Sequence, residues 1–237
     1  MRFETIIIGA GAAGMMCAAH VRDALVIDHA KAAGEKIRIS GGGRCNFTNI
    51  YASAENFLSE NTHFAKSALA RYSQWDFIDL VQRYDIPYHE KTLGQLFCDT
   101  SAKDIIAMLR DLMHAAGAEI WLKTSVTSVR HENDTFTLDI LRGERTETLT
   151  CKNLVLATGG KSIPKMGATG FAYDMATQFG MRVTETRPAL VPFTFSDGRF
   201  AEISGVSLPV RAQAGAGVFD EAMLFTHRGL SGPAILQ

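Results

Sequence analysis

The sequence predicts an α/β fold, a parallel sheet carrying a nucleotide-binding turn, with a β-rich segment after it. Three observations predict it. Phe3 to Gly9 contains the β-branched run Thr5-Ile6-Ile7-Ile8 and stops on glycine, as a buried strand does. Gly9-Ala10-Gly11-Ala12-Ala13-Gly14 follows at once and opens a stretch rich in Ala and Met, through Val21, that reads as a helix. A second short apolar run covers Ala24 to His29. Strand, glycine turn, helix and strand make a βαβ unit with a parallel pair.

The remaining elements follow in order. Ala52 to Tyr84 has a helical pattern, with Ser73 and Asp76 spaced as a capping box. Residues 86–98 read as extended. Ala102 to Ala116 reads as a helix, capped by Ser101 with Asp104 and stopped by Gly117. The runs EIWL, SVTSVRHE, TFTLDIL and RTETLTC then alternate like strands, with Asn133–Asp134 and Arg142–Gly143 as turns. They predict a small antiparallel meander, about residues 119–151, inserted before the chain returns to the main sheet in Asn153 to Gly160. Gly170 to Phe179 reads as a helix. A first domain is therefore expected over residues 1–187. Residues 188–237 read as the start of a β-rich domain. Ser231 is expected to cap a final helix with Pro233 in its first turn. A helix so short is not stable alone, so the carboxyl end reads as incomplete.

Bulk properties narrow the function. The 237 residues are 46% hydrophobic and 21% charged, as in ordinary globular proteins, and the net charge is −1. That balance gives no global attraction to nucleic acid or an anionic membrane, although a local basic patch stays open. Cys17, Cys45, Cys98 and Cys151 are far apart without a CxxC pair, which fits reduced thiols and a cytoplasmic location. The first 20 residues resemble a signal peptide in apolarity, but Glu4 and the regular glycines fit a strand and turn better. No later run reaches the roughly 18 apolar residues of a membrane span, so no membrane partner is expected. The histidines show no HxH or HExxH spacing, and no metal is expected. A G-x-S-x-G hydrolase motif is absent from the sequence.

The glycines carry the chemistry. In G-x-G-x-x-G, Gly9 allows the tight turn, Gly11 lets the backbone approach a pyrophosphate, and Gly14 lets helix and strand pack closely. The phosphates then face the positive end of the helix. Asp28, at the end of the next strand, stands where a ribose-hydroxyl acceptor belongs. It lies 14 residues after Gly14, and the usual spacing of about 20 holds only when counted from Gly9. A shortened crossover helix or a tighter loop is expected. A plainer alternative is a packed turn with no ligand. Nicotinamide and flavin dinucleotides both satisfy this motif. Gly41 to Gly43, with Lys36, Arg38 and Arg44 beside them, can bring backbone N–H groups and positive charge against a cofactor. Leu156 to Gly160 returns a third glycine-bearing strand tip to the same edge. Three such tips suit FAD held in extended form better than a cosubstrate that must come and go.

These segments, with TLGQLFCD, RPALVPF and LFTHRGLSGPAIL, resemble the bacterial YhiN-type flavoproteins, the BaiN/RdsA family of FAD-dependent oxidoreductases. The resemblance runs from Phe3 to Gln237. It implies a Rossmann-like FAD-binding domain of the two-dinucleotide-fold type, with a β-rich domain inserted into it. It implies FAD contacts at Gly9, Gly11, Ala12, Ala13 and Gly14 for the pyrophosphate, and at Asp28 with neighbouring His29 for the adenosine end. Lys36, Ser40, Gly41, Gly42, Gly43, Arg44 and Asn46 would line the middle of the cofactor. Val126 would meet the adenine through its backbone, and Thr158 with Gly159 would close over the ribityl chain. Relatives in this family continue well beyond position 237.

The resemblance also implies a reaction, in which hydride passes from NADH or NADPH through FAD to an activated carbon–carbon double bond. Steroid-like enones and a uridine of large-subunit ribosomal RNA are the acceptors associated with the family. Such a reduction needs a general acid beside the substrate. Cys45 is one candidate, because Arg44 and the glycine run could favour a thiolate; its alternative is a small packed thiol. His227 is the other, with a structural role at a turn as the alternative. Cys98 reads as core. Lys66, Arg71, Tyr72 and Trp75 could present one helical face to RNA, or belong to an ordinary amphipathic helix. Three competing functions stay open. They are a truncated, non-catalytic flavoprotein homologue, a reductase of a small hydrophobic enone, and a plain nicotinamide-dependent dehydrogenase.

Overall fold

The structure, a computed structural model, describes residues 1–236, and of Lys165 the backbone alone. Gln237, the last residue of the expected β-rich segment, lies outside the described residues. The chain divides into two compact units, Met1–Arg182 and a second that begins at Val183, near the 187/188 boundary read from the sequence.

In the first unit, β1 (Arg2–Ile8), α1 (Ala12–Ala18) and β2 (Leu25–Ile27) form the expected parallel βαβ unit. Helix α1 is only two turns long, which accounts for the short spacing to Asp28. After α2 (Glu35–Ile39) come β3 (Asn46–Asn49), α3 (Lys66–Arg71) and α4 (Gln74–Arg83). The helical pattern over 52–84 is thus two helices broken before Ser73, whose side chain and that of Asp76 cap α4 reciprocally. The extended stretch 86–98 is a hairpin of β4 (Tyr88–Glu90) and β5 (Gln95–Cys98), and β3 adds a third, antiparallel strand. The capped helix α5 (Ala102–Ala115) follows as expected.

β6 (Glu119–Trp121), β7 (Thr124–Glu132), β8 (Thr135–Arg142), β9 (Arg145–Leu156) and α6 (Phe171–Gln178) complete the unit. The main sheet runs β6-β2-β1-β9-β8-β7. This corrects the meander in two respects. β6 pairs in parallel with β2 and so belongs to the nucleotide-binding half. RTETLTC and NLVL are one strand: β9 pairs with β8 over Arg145–Cys151 and with β1 over Thr150–Leu156.

Alternation along β1 puts the two faces of the sheet into two cores. Ile7 packs with Met15, Val26, Met108 and Leu109 under α1 and α5. Ile6 and Ile8 pack with Leu25, Leu138, Ile140 and Leu149 on the opposite face. Burying each such side chain stabilises the fold by about 1.5–3 kcal/mol. The strand tips that carry the glycines are therefore mounted on a rigid slab.

The second unit holds β10 (Phe193–Thr194), β11 (Ser207–Ala214), β12 (Gly217–Thr226), β13 (Gly229–Ser231) and α7 (Pro233–Leu236). Its sheet order is β10-β13-β12-β11, antiparallel throughout. Ser231 ends β13 rather than capping α7; Gly232, with φ of 91°, makes the turn between them.

Candidate dinucleotide site

Gly9 leaves β1 with φ of 113°, a conformation that favours glycine. A Cβ there would also lie 2.5 Å from the Ala157 carbonyl oxygen, so the tips of β1 and β9 touch. A Cβ on Gly14 would run into the Gly9 carbonyl, which seats α1 on the turn. Gly11 differs. Its φ of −86° suits any residue, and a Cβ would meet nothing within 4 Å. The fold itself leaves this position free, so the open cradle above Gly11 fits a group from outside the chain, as a pyrophosphate would be.

Asp28 ends β2 with its side chain mostly buried. Its Oδ2 accepts from the Ala10 backbone N–H at 2.6 Å and its Oδ1 from that of Ala30 at 2.8 Å. The carboxylate thus ties the glycine turn to the second strand, a role the sequence pattern did not reveal. A carboxylate has further lone pairs, so ribose hydroxyls remain within its capacity. Beside it lies a cavity of about 430 Å³ whose walls include Gly9, Asp28, His29, Val126 and Thr158, all expected cofactor contacts. That volume is ordinary for a small-molecule site. Ser125, Thr169 and Phe171 also line it and were missed; the GATG turn before α6 was the available signal. His29 leans on that turn, since a Cβ on Gly167 would come within 2.6 Å of its Nε2.

The glycine triplet forms one tight turn, Ser40–Gly43, directly after α2. Ser40 Oγ donates to the Ile37 carbonyl at 2.7 Å, and a Cβ on Gly41 would be 2.8 Å from the Phe97 ring. The triplet is therefore a helix-end turn and not the strand tip expected, and two links join the α2 segment before it to the tips of β1 and β9. Gly34 N–H donates to the Ala10 carbonyl at 2.8 Å, and Lys36 Nζ donates to Ser162 Oγ at 3.1 Å, beyond Gly159. The triplet is absent from the walls of the 430 Å³ cavity. Arg38 spends its charge on Glu35, at 2.6 Å, and Arg44 donates to the Asp99 carbonyl at 3.0 Å.

The catalytic candidates fare differently. Cys45 is buried in the core with Cys98, and burial pushes its thiol up; the Ser40 hydrogen bond offsets this less. This favours the packed-thiol alternative for Cys45, because desolvation disfavours the charged form. Cys98 is pushed up to about 12, by burial first and by Cys45 and Asp104 after it. His227 is exposed in the turn between β12 and β13 of the second unit. Among the described residues no cluster of His, Cys, Asp and Glu could hold a metal ion, and no helix is long and apolar enough to cross a membrane.

The family model described as the HI0933-like protein Rossmann domain matches residues 3–231. The ribosomal RNA dihydrouridine synthase of Escherichia coli K12 is 52% identical over 245 residues, covering 100% of this chain and 60% of that protein. The enzyme of the same name from Haemophilus influenzae is 50% identical over 242 residues, again with 60% of its length covered. The chain therefore spans about 60% of the length of these curated relatives. Among solved structures, the open conformation of a flavocytochrome c3 fumarate reductase superposes with a TM-score of 0.55 at 18% identity, over 88% of this chain and 47% of that one. That likeness bears on the fold.

Proposed function

The chain belongs to the HI0933-like family, and from that premise we propose that it carries the dinucleotide-binding part of an FAD-dependent oxidoreductase. The enzyme passes hydride from NADH or NADPH through the flavin to a uridine of large-subunit ribosomal RNA, giving dihydrouridine in the cytoplasm. The observation that carries this reading is the pair of glycine-bearing strand tips of β1 and β9, tied through Gly34 and Lys36 to the α2 segment that leads into the glycine triplet, with the space over Gly11 left open by the fold. The 52% and 50% identity to two ribosomal RNA dihydrouridine synthases, each over 60% of the relative's length, supports the acceptor.

When bound, the flavin supplies hydride transfer. The residues of this chain bind and orient it. Gly9, Gly11, Ala12, Ala13 and Gly14 would receive the pyrophosphate, and Asp28, His29 and Val126 the adenosine end. Lys36, the Ser40–Arg44 turn and Asn46 would hold the middle, and Thr158 with Gly159 the ribityl chain. Ile8, Ile27 and Phe171 give the cavity its apolar wall.

The test is an absorption spectrum of the purified chain after addition of FAD and dialysis, followed by incubation with NADH or NADPH and a ribosomal RNA fragment. Retained flavin and loss of the uracil ultraviolet band in one nucleoside are the expected results. Flavin retention with the RNA left unchanged, also by a protein spanning the full length of the relatives, would refute the proposed acceptor.

A further inference from the structure

One histidine–carboxylate pair of the first unit has no part in the site described so far. Asn46, Phe97 and His89 stand directly opposite one another across β3, β5 and β4. Residues in such a row share one face of the sheet. The Phe97 ring abuts the glycine turn at Gly41, and the His89 imidazole stacks on it with centroids 6.4 Å apart and planes 21° apart. His89 Nδ1 lies 2.6 Å from Asp99 Oδ1. An ionised carboxylate only accepts, so Nδ1 carries the proton. Arg44, from the glycine turn, holds the Asp99 carbonyl. His89 is 46% exposed, and its Nε2 makes no hydrogen bond among the described residues.

We propose that His89 is the proton donor of the reduction and that Asp99 is its positioning residue. This rests on the functional reading above. Saturating one carbon–carbon double bond consumes a hydride and a proton. A bound flavin, reduced by NADH or NADPH, would supply the hydride for the first C–H bond. The displaced π pair then takes the proton from Nε2 of the imidazolium, forming the second. The N–H pair stays on Nε2, the ring is left neutral with its Nδ1 proton held by Asp99, and solvent reprotonates the exposed Nε2. An imidazole oriented by a carboxylate is well suited to this work. Other acids near the glycine turn are committed elsewhere. Cys45 is buried, and Glu90 accepts from the Gly94 N–H at 2.9 Å. His29 stands beside Asp28 at the adenosine end.

Two readouts test the assignment on the full chain. The first needs no cofactor: nitrogen-15 spectra of the histidine rings should show neutral His89 protonated at Nδ1, and Asp99→Asn should abolish that preference. The second uses the flavin-loaded chain without oxygen. His89→Gln should leave the flavin spectrum and its reduction by NADH or NADPH unchanged, while slowing reoxidation by a ribosomal RNA fragment about 100-fold. Reoxidation of the variant at the wild-type rate, or a wild-type ring protonated at Nε2, would overturn the assignment while leaving the functional reading intact. A wild-type chain that takes up no flavin, or whose reduced flavin the RNA never reoxidises, would remove both.

Discussion

At the scale of single residues, the last two glycines of one motif do different jobs and respond differently to the same methyl group. Gly14→Ala places its Cβ against the Gly9 carbonyl, a backbone atom that cannot swing aside. We expect it to lower unfolding free energy by about 1–3 kcal/mol in urea titration, as overpacking does. Gly11→Ala adds its Cβ to open space at an ordinary φ, so stability should change by less than about 1 kcal/mol. Its affinity for FAD, read by fluorescence titration, should nevertheless fall at least about tenfold, a loss of about 1.4 kcal/mol. Asp28→Ala strips two backbone donors of their acceptor and should cost about 1–3 kcal/mol of stability as well as weakening the cofactor. Cys98 gives a pH signature. Its folded pKa, about 12, lies above the unfolded value near 8.5, so its contribution is complete below that value. The unfolded chain then loses the proton first, and stability should fall as pH rises from about 9 towards 12. Cys98→Ala should flatten part of that slope in urea midpoints measured across this range.

Among the elements, the helices show how far local rules reach. Ser101 Oγ accepts from the Lys103 N–H at 3.2 Å and Asp104 reaches back to the Ser101 N–H, so both ends of the capping box are present. Ser101→Ala should cost about 1 kcal/mol in thermal or urea unfolding, because the cap starts α5, whose buried side chains cover the Ile7 face of the sheet. That cap, the Ser73 cap of α4 and the strand–turn–helix of the glycine motif were legible because each is settled by neighbours in sequence. β9 was not. Its first half is flanked by β8 and its second by β1, so the burial pattern changes midway and reads as two strands. β3 was missed for a related reason: NFTN has no apolar alternation, and it becomes a strand only by pairing with β5. The cofactor walls show the same divide. Asp28 and Val126 were readable from motif and resemblance, whereas Ser125, Thr169 and Phe171 reach the cavity through tertiary packing. Cys45 was left between two readings because sequence places it beside Arg44 but does not reveal its burial.

The two units also differ as whole bodies. The first has two cores on either face of its sheet. In the second, Ala234 is the buried hydrophobic among the described residues, while Leu190, Phe193 and Val206 are exposed. So thin a core resists local opening poorly. Hydrogen exchange should therefore proceed faster in β11 and β12 than in β1, β8 and β9; equal protection would contradict this. The central claim, that the first unit is built to hold FAD across three linked glycine turns, is tested most directly by equilibrium titration of the purified chain with FAD, run in parallel on Gly11→Ala. The account predicts saturable binding by the wild type and a marked loss in the variant, with both proteins equally stable in urea. No saturable binding by a folded wild type, or equal affinity in the two proteins, would contradict it.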